Sequence, residues 1–180
     1  MNPSSIYQRA MGPEFDKLAL PVRRFHTLSG QHVLHGWVRT DAPASALGRL
    51  VARSLGAPRT SYSGPLRFEL NAQPGVETWT RFFPGKTMTS RLQLRGQHLV
   101  EALGLAQLSF GLVQVDGQLR MQLLGLRFLG VPCPAWLAPR VLAQESGDAE
   151  RFRFHVHASM PLLGTVASYQ GYLDLPPEAP

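Results

Sequence analysis

Two histidines stand two residues apart in "RFRFHVH" (151–157). On a strand, such residues point to one face, so His155 and His157 could share a metal with a distant ligand such as His98. They also continue the polar row set by Arg151 and Arg153, which reads as a solvated face. The lone cysteine, Cys133, could act as a nucleophile beside a histidine. It lies between Pro132 and Pro134 in an apolar stretch with no local base, the setting of a buried, unreactive thiol. Glu101 sits between Val100 and Ala102, while Arg81, Arg91 and Arg127 stand in apolar or aromatic runs. An inward arginine paired with Glu101 or Glu145 could hold a head group or trade protons, or could be a structural ion pair at a sheet edge. Trp79 and Tyr169 read as core or rim aromatics that become ligand contacts if a cavity is enclosed. Trp79, Arg81, Glu101, Trp136 and Tyr169 are therefore the candidate ligand-binding residues, with no catalytic set and no metal set.

Nucleotide chemistry finds no support. No GxGxxG turn is present. "GKT" at 85–87 lacks the earlier glycine of a phosphate loop, since position 80 is threonine, and no helix follows. No cofactor is expected.

These residues need elements to position them. Residues 5–28 read as short helices. Pro13 opens one carrying Phe15, Leu18 and Ala19, and Pro21 opens another carrying Val22, Phe25 and His26. A first strand is expected over 31–40. A helix follows over about 44–55, with Leu47, Leu50, Val51 and Leu55 at helical spacing and Gly56 as its cap. From residue 64 the period becomes two. "LRFEL" (66–70), "ETWTRFF" (77–83), "TMTSRLQL" (87–94), 98–115, 118–128, "RFRFHVH" and "TVASYQGYLDL" (165–175) read as strands. Gln73-Pro74-Gly75, Pro84-Gly85 and Asp116-Gly117 read as turns. The expectation is an α+β, mainly antiparallel chain: a curved meander sheet or partial barrel of about eight or more strands. The N-terminal helices and the helix near 44–55 would cover it. One domain is expected over 1–180, with 1–28 packed on it and 176–180 as a flexible tail.

"VPCPAWLAP" (131–139) interrupts the strands. Its prolines cannot donate to a ladder, and Ala135–Leu137 can form one helical turn. Val131, Trp136 and Leu137 look too apolar for solvent, so the stretch reads as a plug under the sheet ends, with Trp136 buried. A lid over a ligand cavity and a membrane contact are the other readings.

The 180 residues are 44% hydrophobic, enough for a sizeable core. The net charge of +6 comes from scattered arginines, with only Lys17 and Lys86 as lysines. It reads as an arginine-built surface; an anionic partner is the alternative, and nucleic acid is not expected. The longest apolar run, 99–115, is interrupted by Glu101, Gln107 and Gln114, so no transmembrane segment is expected, and peripheral membrane contact stays open. One cysteine and a polar N-terminus suggest a cytoplasmic protein.

"FDKLALPVRRFH" (15–26), "ETWTRFF", "FLGVPCPAWLAP" (128–139), "ERFRFHVHASMPLLG" (150–164) and "YQGYL" (169–173) together resemble a bacterial family of uncharacterised domains, DUF4166. The resemblance implies a domain that occurs alone or behind a saccharopine-dehydrogenase-like oxidoreductase. It transfers no activity and no catalytic residues. Two functions are therefore expected above others. One is a non-catalytic module holding a lipid-like or other apolar small molecule. The other is an accessory domain docking on an oxidoreductase partner. An enzyme using Glu101 with nearby histidine or arginine ranks third.

Overall fold

A computed structural model describes residues 4–148 and 150–177. Residues 178–180 of the expected tail lie outside them. The chain opens with α1 (Ile6–Met11), a 3-10 turn (Gly12–Lys17) and α2 (Leu20–Thr27). Ser5 and Gln8 form a reciprocal capping box at the start of α1, which satisfies two backbone donors of a very short helix. Then come β1 (Gly30–Asp41), α3 (Ala46–Leu55), β2 (Tyr62–Gln73), β3 (Val76–Phe83) and β4 (Lys86–Arg95). They are followed by β5 (His98–Leu103), β6 (Ala106–Val115), β7 (Gln118–Phe128) and the two-residue β8 (Val131–Pro132). A short 3-10 turn (Ala135–Leu137) leads to β9 (Arg140–Asp148), β10 (Arg151–Met160) and β11 (Gly164–Asp174).

The strands pair antiparallel in the order β6-β5-β4-β3-β2-β1-β11-β10-β9-β7, and β6 pairs with β7 to close the ring. The result is a closed ten-stranded barrel, where the sequence suggested a curved meander sheet or partial barrel. Closure rests on β1 meeting β11, with Trp37 opposite Tyr172, and on β7 meeting β9 over Leu119–Met121. These pairings join distant parts of the chain, so no local pattern announces them. The run at 98–115 is two strands, turned at Gly104, whose φ is +56°. Asp116 and Gly117 both have positive φ, as a two-residue hairpin turn requires.

Connections alternate between two barrel ends. One end is filled by α1 and α2. Ala19 N–H donates to the Gly117 carbonyl, and Arg24 to the Pro176 carbonyl, which ties the helices to the strand ends. Ile6, Tyr7, Phe15, Leu18, Val22 and Phe25 are all buried there. At the other end α3 bridges the β1–β2 connection. Ser45 Oγ accepts from Gly48 N–H and donates to the Leu163 carbonyl, and Leu105 N–H donates to the Ser54 carbonyl. The helix turns its small side down: Gly48 and Ala52 are buried, and a Cβ on Gly48 would meet the Thr165 carbonyl at 3.2 Å. Leu47 and Leu50, expected on the buried face, point to solvent instead.

The proline stretch corrects the plug expectation. Val131–Pro132 pairs antiparallel with Arg127–Phe128, and Cys133 N–H donates to the Leu126 carbonyl at 2.8 Å. The segment thus continues the free edge of β7 before crossing to β9. Trp136 is 72% exposed and Val131 66%. Trp136→Ala is accordingly expected to change stability by about 0.5 kcal/mol or less, read by urea denaturation. A loss of roughly 3 kcal/mol would mark a core residue instead.

Candidate functional site

Alternation along the strands decides what enters the barrel. Phe68, Trp79, Phe152, Phe154 and Tyr169 face inward, as do Glu77 and Arg81 on β3, Glu101 on β5 and Glu145 on β9. Not all of this interior is filled. A cavity of about 580 Å³ runs from Trp79, Phe68 and Phe152 to a mouth between α3 and the proline stretch. Val51 and Leu55 line one side of the mouth, and Phe128, Leu129 and Val131 line the other. The walls are almost wholly apolar; Arg81, Glu101, Gln144, Glu145 and Tyr169 supply the polar atoms.

The floor is an aromatic stack built by the N-terminal helices. The Phe25 ring stacks on Phe152 at 4.0 Å and meets Trp79 edge-on at 5.4 Å. Tyr7 stacks on His26 at 3.6 Å. His26 Nε2 and Glu145 Oε2 are 2.5 Å apart, and both side chains are buried. Two buried carboxylates in apolar surroundings demand partners. Glu145 takes His26, and Glu77 accepts a hydrogen bond of 2.9 Å from Trp79 Nε1. Burial pushes the Glu77 carboxyl up; His26, when charged, and the Trp79 hydrogen bond oppose that rise. The Tyr7 phenol is raised well above its usual value, chiefly by burial, then by the charges of Glu145, Glu77 and Glu101.

The raised Glu77 carboxyl has a consequence for stability. The folded chain keeps this proton at pH values where the unfolded chain has lost it, so the wild type loses stability as pH rises from about 4.5 through the folded value. Glu77→Gln removes that loss and keeps an acceptor for Trp79. The variant should therefore gain on the wild type as pH rises. Unfolding curves collected across that range test this; parallel stability profiles would contradict it.

Arg81 is the outlying group. It is only 7% exposed, yet among the described residues it forms no ion pair. Its Nη1 donates to Ser90 Oγ at 2.7 Å, and its guanidinium carbon lies 5.3, 5.7 and 5.9 Å from the ring centres of Trp79, Phe68 and Tyr169. Ring faces stabilise a cation weakly, without neutralising it. The Tyr169 phenol is raised by burial, with Arg81 opposing and Glu101 and Glu145 adding to the rise.

Of the sequence candidates, Trp79, Arg81, Glu101 and Tyr169 come together on the cavity wall. Trp136 does not line it. The expected inward arginine–glutamate pair is absent among the described residues: Glu145 pairs with His26, while Arg91 and Arg127 are exposed. Cys133 is half-buried at the mouth and not enclosed in the core. His155 and His157 lie on the outer face of β10, opposite to the inward Phe154 and Val156. Sequence reasoning missed Tyr7, His26 and Glu77. The strict alternation Glu77, Trp79, Arg81, Phe83 was the signal that placed Glu77 inside.

No curated protein matches the chain. A family model, the domain of unknown function DUF4166, matches residues 18–173, from the end of the 3-10 turn to the last strand. That span takes in every strand of the barrel but the last residue of β11, with the cavity wall and His26 of the floor, so this chain belongs to the DUF4166 family.

Proposed function

We propose that the barrel is a non-catalytic module that holds a lipid-like or other apolar small molecule. The observation that carries this reading is the apolar cavity of about 580 Å³, within the range of small-molecule sites, with a few convergent polar groups at one place. Trp79 and Tyr169 supply flat apolar contact there. Arg81 supplies the polar end, and Glu101 flanks it. An amphiphile with a single apolar chain and an anionic head suits this arrangement: its chain follows the apolar wall towards the mouth, and its head meets the uncompensated guanidinium. The rival reading, an accessory domain on an oxidoreductase, calls for a filled interior, and the cavity favours binding over it. Glu145 with His26 has the spacing of an acid–base pair, but His26 does not line the cavity.

The experiment is a titration of the delipidated protein with a long-chain carboxylate and with the alcohol of the same length. Both should bind the wild type. Arg81→Gln should weaken the carboxylate roughly tenfold or more, as for a lost charge-assisted hydrogen bond, and the alcohol much less. No saturable binding of either molecule would sink the cavity reading. Equal effects on both would leave the cavity reading standing and remove Arg81 as the head-group anchor.

A further inference from the structure

The mouth end of the barrel differs from the helix-filled end in two ways that point to one partner. The first is apolar exposure. Leu47, Leu50, Leu105, Leu129, Trp136 and Leu162 are between 48% and 94% exposed. Hydrogen bonds tie their elements together at this end: Leu105 N–H to the Ser54 carbonyl of α3, the Ser45 hydroxyl at the start of α3 to the Leu163 carbonyl, and Leu129 N–H to the Leu105 carbonyl. The leucines do not form a chance scatter of surface residues, because two of them sit where leucine is disfavoured. Leu129 has φ +50° and Leu162 φ +66°, the left-handed region that ordinarily takes Gly, Asn or Asp. At the opposite end the equivalent turn position is Asp116. An apolar side chain kept at a strained turn tip, pointing into solvent, has a use outside the fold.

The second difference is charge. Arg49, Arg53, Arg59, Lys86, Arg127 and Arg140 lie on or beside this end, and among the described residues none forms an ion pair. The acidic residue of this end, Asp41, is taken by Arg39 and Ser168. Glu14, Asp16, Asp116, Asp148, Glu150 and Asp174 all belong to the other end. Leucine and tryptophan tips among unpaired cations are the composition of a surface that rests in an anionic lipid interface. A nucleic-acid surface would carry the cations without the leucine tips.

We infer that the mouth end docks on anionic phospholipid bilayers, with Leu129, Leu162 and Trp136 entering the interface and the arginines meeting lipid phosphates. Docking this way sets the cavity mouth, which Leu129 and Val131 line, against the lipid surface. The inference does not depend on what the cavity holds.

Vesicle flotation tests it. One set is phosphatidylcholine alone; the other contains about 30 mol% phosphatidylglycerol, enough to give a negative surface. The wild type should float with the anionic vesicles and not with the neutral ones, and salt of about 0.5 M should weaken binding by screening. Leu129→Asp with Leu162→Asp should lower binding at least tenfold. Aspartate suits both turn positions, so these variants should keep or raise the melting temperature, and lost binding cannot be ascribed to unfolding. Arg49→Gln, Arg53→Gln and Arg140→Gln together should weaken anionic-vesicle binding about a hundredfold, at roughly 1 kcal/mol per charge. Arg91→Gln with Arg95→Gln, on the barrel wall, should leave it unchanged. The inference is overturned by failure to bind anionic vesicles, by aspartate variants that bind as the wild type does, or by wall substitutions as damaging as those at the mouth. Equal affinity for a DNA duplex, untouched by the aspartates, would also overturn it in favour of a general polyanion site.

Discussion

Glu145→Ala is expected to lower the unfolding free energy by about 3–5 kcal/mol, the loss typical when one partner of a buried pair is removed. The His26 side chain has no exposure, and its Nδ1 already lacks a hydrogen-bond partner among the described residues. Deleting the carboxylate leaves Nε2 in the same state, pressed between the Tyr7 ring and the edge of Phe25. Glu145→Gln keeps an acceptor near Nε2 and should cost much less. The informative variant replaces both partners, His26→Phe with Glu145→Leu. If the pair matters only because each member needs the other, this double change should recover most of the loss, because apolar groups of similar size need no partners. Urea denaturation of the wild type, His26→Phe, Glu145→Leu and the double variant closes the cycle and gives the coupling directly. A Glu145→Ala variant that costs under about 1 kcal/mol would mean that water reaches His26.

Phe25→Ala should destabilise the fold by about 3–5 kcal/mol, the range for a large aromatic removed from a packed core. Phe25 is 1% exposed and touches the rings of Phe68, Trp79, Phe152 and His26. It is the point at which α2 is seated in the barrel. The truncation leaves a void contiguous with the cavity floor, so an apolar probe in the barrel should also dissociate faster. Denaturation and stopped-flow displacement read the two effects separately. A variant within about 1 kcal/mol of the wild type would show that the barrel stands without its helical floor.

The elements of this fold were more legible than their closure. Leu66, Phe68 and Leu70, and again Phe152, Phe154 and Val156, alternate because each strand has one wet face, and that pattern is local. The meeting of β1 with β11 is not, since nothing near Trp37 specifies Tyr172. Helical spacing identified α3 but could not choose its buried side. Leu47 and Leu50 looked inward by polarity, whereas Gly48 and Ala52 lie inward because only small residues let the helix approach the Thr165 backbone. Charged residues misled in the opposite direction. Glu77 drew no notice because a carboxylate reads as a surface group by type, although its position in the alternation puts it inside. The cavity wall itself was partly visible, through Trp79, Arg81, Glu101 and Tyr169. Its emptiness was not, because volume depends on how ten strands curve together.

The pairing of β1 with β11 also fixes an order of events during synthesis. The helices that floor the barrel leave the ribosome before the strands, yet Phe25 packs on Phe152 and His26 on Glu145, more than a hundred residues later. Until β11 emerges there is no ring for the early segment to enter, and Tyr7, Val22 and Phe25 remain without their partners. The last strands must be translated before the floor reaches its final burial, and contacts of such long sequence separation form slowly. The nascent chain therefore carries this apolar segment in the open until β11 has been made.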